Sequence, residues 1–266
     1  MRFWSGGREW FGEPAGDGLV AERLEGDDQF SLRRTGEQVP VEKVLAPLVP
    51  TDILCIGLNY RDHAAESNSP IPVNPMLFIK ASGTLNNPGD PILVPRRSSM
   101  IDYEGELCVV MGPRPCKNVS KAEALEYVFG YTIANDVSAR DWQREKSLGG
   151  GQFARGKSFD TFCPIGPWIT MKDEVGDPNQ LRLKTTVNGQ VMQDHTTSDM
   201  IFDVPTLIES LSSTMTLRPG AVILTGTPHG VGFARTPPVW LKNGDVVEIE
   251  IEKLGKLANP VGAEEG

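Results

Sequence analysis

Glu104 and Glu106, two residues apart in Tyr103-Glu104-Gly105-Glu106-Leu107, are the first residues whose spacing suggests chemistry. Side chains alternate along a strand, so carboxylates at i and i+2 share a face. Like charges that close repel, and each raises the other's pKa unless a cation lies between them. A third acid, Asp136, comes at the carboxyl end of the apolar run Tyr131-Thr132-Ile133-Ala134. Three carboxylates are hard oxygen donors that suit Mg²⁺, with Mn²⁺ and Ca²⁺ as alternatives, and not Zn²⁺. They fill half of an octahedral shell and leave room for water and substrate. Taken alone, Glu104 and Glu106 read as a solvated strand edge; Asp136 shifts the balance toward a metal site.

Past Asp136 the chain reads as a helical turn or two. That would place Asp136, Arg140 and Gln143 on one face, at i, i+4 and i+7. The set is either an i,i+4 ion pair or one metal ligand with two substrate contacts. Residues Gly151 to Ser158 satisfy the P-loop pattern G-x-x-x-x-G-K-[ST]. The physics of that pattern requires a strand before it and a helix opening at the lysine. Arg144 to Gly150 is no buried strand and Asp160 to Pro164 has no helical period, so nucleotide binding is set aside. Gly149 to Gly151 reads instead as a flexible loop over the site. His195 and His229 lack zinc-motif spacing, and no G-x-S-x-G elbow is present.

The elements that must position these residues are mostly strands. The 266 residues suffice for one large domain with a small appendage. Residues 1–48 read as a small β-rich region, and a hinge at Pro47 to Pro50 leads into residues 49–266. Ile53 to Gly57 suits a buried strand, as do Met76 to Ile79, Ile92 to Val94, Leu107 to Met111 and Tyr131 to Ala134. Leu181 to Val187, Ala221 to Leu224 and Val246 to Ile251 complete the set, with Asn188-Gly189 as a hairpin turn. Two helices are expected: one from the Ser120-x-x-Glu123 capping box to about Phe129, one after Asp203 through Leu211. Strands outnumber helices and do not alternate with them, so the fold class is α+β, predominantly β.

Composition narrows the partners. A net charge of −9 disfavours nucleic acid. No stretch nears the ~20 apolar residues that a membrane span needs. The start has no apolar signal segment, and Glu9 and Glu13 argue against a transit peptide, so the expected location is the cytoplasm. The four cysteines, Cys55, Cys108, Cys116 and Cys163, form no C-x-x-C pair and are expected reduced and buried.

Four motifs occur in order: Glu104-x-Glu106, Asn135-Asp136-x-Ser138-Ala139-Arg140-Asp141, Gly156-Lys157-Ser158-Phe159, and Leu224-Thr225-Gly226-Thr227-Pro228-x-Gly230-Val231-Gly232. Together, over residues 53 to 260, they resemble the fumarylacetoacetate hydrolase superfamily. The resemblance implies a mixed β-roll, a homodimer, and Mg²⁺ held by Glu104, Glu106 and Asp136. It implies that Lys157, Arg140, Gln143 and Thr227 contact an oxo-acid, with Lys157 also counted among the catalytic residues. Asn59 to Glu66 is similar to the lid of the smaller family members, where His63 and Glu66 would activate water. At i and i+3 the two would meet on one helical turn. Fumarylacetoacetate hydrolase proper carries a further metal-binding aspartate where this chain has Ile56, so the match is closer to the oxaloacetate- and acylpyruvate-processing branch.

Charge supports a small anionic substrate: Lys157 and Arg140 balance the carboxylates, and an arginine can grip a carboxylate with two hydrogen bonds. The metal would act as an electron sink for an enolate. C–C hydrolysis or decarboxylation of an acylpyruvate or oxaloacetate is the first expectation. Keto–enol tautomerisation or a related isomerisation on the same site is the alternative.

Overall fold

The computed structural model describes residues 1–16 and 18–265. Five strands come first: β1 (Arg2–Ser5), β2 (Arg8–Ala15), β3 (Val20–Glu25), β4 (Arg33–Pro40) and β5 (Lys43–Leu45). They form an antiparallel sheet in the order β4-β3-β2-β1-β5 around a small core of Phe3, Ala21 and Val39.

The next strands are β6 (Ile53–Gly57), β7 (Met76–Ile79), β8 (Leu85–Asn86), β9 (Ile92–Val94) and β10 (Ile101–Asp102). After them come β11 (Gly105–Met111), β12 (Val128–Asn135), β13 (Ser138–Ala139), β14 (Cys163–Met171) and β15 (Arg182–Val187). The last are β16 (Gln190–Thr196), β17 (Val222–Leu224), β18 (Val246–Ile251) and β19 (Gly255–Ala263). The helices are short: α1 (Arg61–Glu66), α2 (Arg140–Arg144), α3 (Phe153–Lys157), α4 (Lys172–Val175) and α5 (Val204–Thr214).

A seven-stranded mixed sheet runs β7-β6-β17-β11-β12-β14-β8, and a five-stranded one runs β16-β15-β18-β19-β9. The α+β, mainly β architecture is as the composition of elements predicted. β11 shows why the seven-stranded sheet is apolar on both faces. Its alternate residues Cys108 and Val110 enter one core with Cys55, Cys163 and Leu224, while Leu107, Val109 and Met111 enter a larger one. Strand alternation feeds both cores from a single strand. The four cysteines are free and buried, as expected. No described helix is long and apolar enough to cross a membrane.

Asn188-Gly189 makes the expected hairpin between β15 and β16, with φ values of 53° and 77° that a tight turn requires. α5 starts where Asp203 caps it by accepting the Thr206 N–H at 2.9 Å. The helix expected at Ser120–Phe129 is not formed. Ser120 Oγ bonds the Glu123 carboxylate at 2.6 Å, and only a 3₁₀ turn, Ala124–Tyr127, follows. Val128 already pairs with Met111, so the β-branched and aromatic residues join the sheet.

Candidate active site

Antiparallel pairing of β11 with β12 sets Gly105 opposite Asn135 and so delivers the acids to one place. The Asp136 N–H donates to the Glu104 carbonyl at 2.9 Å, and the Glu104 N–H to Asn135 Oδ1 at 3.0 Å. Carboxylate oxygens of Glu104, Glu106 and Asp136 all lie within 4.8 Å of one another, fully buried. Gly105 is required by close approach, since a Cβ there would lie 2.3 Å from Thr185 Oγ1 on the neighbouring sheet. Gly226, at φ +96°, turns its N–H onto Glu106 Oε2 at 2.7 Å.

Three buried cations face these acids. Lys157 Nζ donates to Glu104 Oε2 and Asp136 Oδ2, both at 2.6 Å. Lys80 Nζ donates to Asp136 Oδ1 at 2.6 Å and to the Val137 carbonyl at 3.1 Å. Arg140 donates to Asp102 Oδ2 at 2.8 Å, Glu104 Oε1 at 2.6 Å and Gln143 Oε1 at 3.0 Å. Asp102 also accepts the N–H groups of Gly232 at 2.7 Å and Phe233 at 3.1 Å.

Counting Asp102, four buried carboxyls therefore share three buried cations. The deficit falls on Glu106. Burial first, then Asp136 and Glu104 beside it, push its carboxyl well above the usual carboxylate range. Burial opposes ionisation of Glu104 too, but Lys157 and Arg140 overcome it and hold that carboxyl far below the usual range. A group that lacks one counter-cation, presented by oxygen donors alone, fits a hard divalent ion.

His63 lies on α1, its Nδ1 2.7 Å from Glu66 Oε1, and Glu66 Oε2 accepts the Gly230 N–H at 2.9 Å. With Nδ1 held by the carboxylate, Nε2 is left to exchange protons. His63, Glu104, Glu106, Arg140, Lys157 and Phe233 line one cavity of about 140 Å³. Gln143 and Thr227 line it as well.

The structure thus gathers Glu104, Glu106, Asp136, His63, Glu66, Arg140, Gln143, Lys157 and Thr227, though not always as expected. Asp136 is not on a helix with Arg140 and Gln143. β13 intervenes because Ser138–Ala139 pairs with Ile101–Asp102, and α2 opens only at Arg140. Arg140 consequently grips Asp102 and Glu104, and Asp136 is held by lysines. Thr227 Oγ1 donates to the Gly105 carbonyl at 3.0 Å and accepts from Gln193 Nε2 at 2.7 Å, so most of its bonding capacity is spent inside the protein. The P-loop reading is excluded by α3, which ends at Lys157 where a P-loop helix would open there. Gly149 to Gly151 do not line the cavity, although Arg144 and Phe153 on either side do.

Three residues escaped the sequence reading. Asp102 continues the alternation of Glu104 and Glu106, a signal present in the sequence. Lys80 ends the apolar run of β7, where a buried charge needs a partner. Arg144 also lines the cavity. Its guanidinium lies 3.9 Å from the Phe233 ring centroid and makes no direct ion pair among the described residues, Asp102 and Glu104 attracting it only at longer range.

A sequence profile described as Fumarylacetoacetate (FAA) hydrolase C-terminal matches residues 52–262. The chain belongs to the fumarylacetoacetate hydrolase family. It is 47% identical over 258 residues to the Bos taurus protein named oxaloacetate tautomerase FAHD2A, mitochondrial, covering 94% of this chain and 81% of that one. The corresponding Xenopus laevis protein, oxaloacetate tautomerase fahd2, mitochondrial, is 48% identical over 219 residues, 82% of this chain and 68% of that one. The crystal structure of 2-hydroxyhepta-2,4-diene-1,7-dioate isomerase from Mycobacterium marinum superposes with a TM-score of 0.85 at 40% identity, covering 100% of this chain and 98% of that one. These relatives favour tautomerase or isomerase chemistry in the family site over the hydrolysis or decarboxylation placed first from the sequence.

Proposed function

We propose that this family member is a divalent-metal-dependent tautomerase of small dicarboxylic oxo-acids of the oxaloacetate type. The observation that carries the reading is one small cavity lined by His63, which Glu66 holds from behind, together with Glu104 and Glu106. At about 140 Å³ it is smaller than the ~300–1,000 Å³ of drug-sized sites, which suits a compact diacid. Glu104, Glu106 and Asp136 would hold Mg²⁺, which when bound supplies a Lewis acid for negative charge on adjacent oxo and carboxylate oxygens.

The chain's own residues supply the rest. Glu66 holds His63 in the tautomer that leaves Nε2 as base. His63 takes a proton from the carbon between the two carbonyl-bearing carbons, and the imidazolium gives a proton back to an oxygen of the resulting enolate, directly or by exchange with solvent, to give the enol and restore the neutral ring. The reverse path returns the keto acid, with no water consumed and no CO₂ lost. Arg144, without a direct ion pair of its own, receives the substrate's second carboxylate. The two curated relatives act on oxaloacetate by name and the isomerase on a dioate, which supports a substrate with two carboxylates.

C–C hydrolysis or decarboxylation on the same site is the second reading, favoured by the His63–Glu66 pair, which can also take a proton from water. A panel of oxaloacetate and acylpyruvates with Mg²⁺, with products quantified, tests the choice. Faster enol–keto relaxation of oxaloacetate with little pyruvate formed supports the tautomerase. Stoichiometric cleavage of an acylpyruvate, without faster relaxation, would reverse the order.

A further inference from the structure

The chain has three histidines, and the two that do not line the cavity meet outside it. His195 on β16 and His229 in the loop after β17 stack edge to face with centroids 4.8 Å apart. Asp62 on α1 and Asp199 in the turn Thr197–Asp199 stand against them. His195 Nε2 lies 3.1 Å from Asp199 Oδ2 and 3.5 Å from Asp62 Oδ2. His229 Nδ1 lies 4.0 Å from the same Asp62 oxygen.

None of these approaches is a hydrogen bond. His195 Nε2 and His229 Nδ1 are both shielded from solvent, and neither has a hydrogen-bond partner. An unsatisfied buried nitrogen costs about 1–3 kcal/mol, so two flanking one aspartate oxygen need an explanation. A cation supplies one. In a tetrahedral zinc site with bonds of about 2.0–2.1 Å, neighbouring ligand atoms sit about 3.3 Å apart. The spacings here are close to that, and Asp62, exposed on a short helix, is free to close the largest gap.

We propose that Asp62, His195 and His229, whose ligand atoms lie within 4.8 Å of one another, form a second metal site, for a Zn²⁺-class ion, with Asp199 beside it. Imidazole nitrogens select borderline ions over Mg²⁺, the opposite preference to that of the all-carboxylate cluster. Three protein ligands leave the ion one tetrahedral position for water or for Asp199, whose Oδ2 lies 3.1 Å from His195 Nε2. The ion's place gives it leverage on the active site. Asp62 immediately precedes His63, and His229 immediately precedes Gly230, whose N–H holds Glu66. An ion there ties α1 to the loop that already orients the His63–Glu66 pair.

The test is calorimetric titration of Zn²⁺ into the full chain in excess Mg²⁺, which occupies the carboxylate cluster. One equivalent should bind to the wild type. Affinity should fall by more than the ~10–100-fold that outer-shell changes cost, both in His195→Gln/His229→Gln and in His229→Gln alone. The single change lies on a loop and spares the strands. A wild type that takes up no Zn²⁺, or either variant binding as the wild type does, overturns the proposal.

Discussion

Lys80 Nζ lies 2.6 Å from Asp136 Oδ1, on the opposite oxygen from the one that Lys157 holds. Asp136 is thereby clamped between two buried ammonium groups, each a fixed counter-charge. Breaking a buried pair by removing one partner costs about 3–5 kcal/mol. Lys80→Met should lose about that much stability without metal. It should gain more from added Mg²⁺ than the wild type, because the ion replaces a missing positive charge. Denaturant unfolding with and without Mg²⁺ measures both; equal gains in the two proteins would argue that the ion does not sit on Asp136.

Glu106→Gln tests the charge deficit. Burial and the neighbouring acids push this carboxyl up, so without metal folding favours its protonated form. A group raised in the folded state destabilises as pH rises past its unfolded value. The neutral amide keeps an acceptor for the Gly226 N–H and removes that loss. At neutral pH the metal-free variant should be at least as stable as the wild type and should show no Mg²⁺-induced rise in Tm. A variant still stabilised by Mg²⁺ would place the metal elsewhere.

Arg144→Gln should raise KM for oxaloacetate by about 1.5–3 kcal/mol, the worth of a hydrogen bond to a charged group, or roughly 10–150-fold. A monocarboxylic acylpyruvate should lose little. Steady-state kinetics on the pair decides it, and equal losses on both would show that Arg144 serves the cavity wall and not the second carboxylate.

Asp203→Ala removes the cap of α5 and should cost about 0.5–2 kcal/mol at neutral pH. Burial alone would raise this carboxyl, but bonds from Lys121 and from the Thr206 hydroxyl and amide outweigh it and hold it below its ordinary value. A depressed folded value gives stability that is present above about pH 4 and is lost as pH falls through it. The gap between variant and wild type in thermal melts should therefore close in acid. A gap that does not narrow at all between neutral pH and about pH 2 would mean that the loss is not the cap's.

What could be read from the sequence was governed by how local each signal is. Glu104, Glu106 and the hairpin at Asn188-Gly189 are short-range patterns, and they fold as written because strand alternation and turn geometry are local. Asp102 belongs to the same alternation, but its role shows only once Arg140 is beside it. The Ser120 capping box is overridden by pairing of Val128 with Met111, a contact that no window around Ser120 contains. Helical spacing assigns Arg140 to Asp136, yet it belongs to Asp102, whose position depends on β10 meeting β13. Lys80 reaches Asp136 across 56 residues, and only the assembled sheet brings them together.

The central claim is proton exchange at carbon, and solvent deuterium reports it directly. Oxaloacetate incubated in D₂O with Mg²⁺ and enzyme should gain deuterium at C3 much faster than it loses CO₂. His63→Ala should slow that exchange by the ~10²–10⁴-fold typical of a general base, with Mg²⁺ binding intact. Enzyme-dependent CO₂ release that keeps pace with exchange, or exchange unchanged in His63→Ala, would contradict the account.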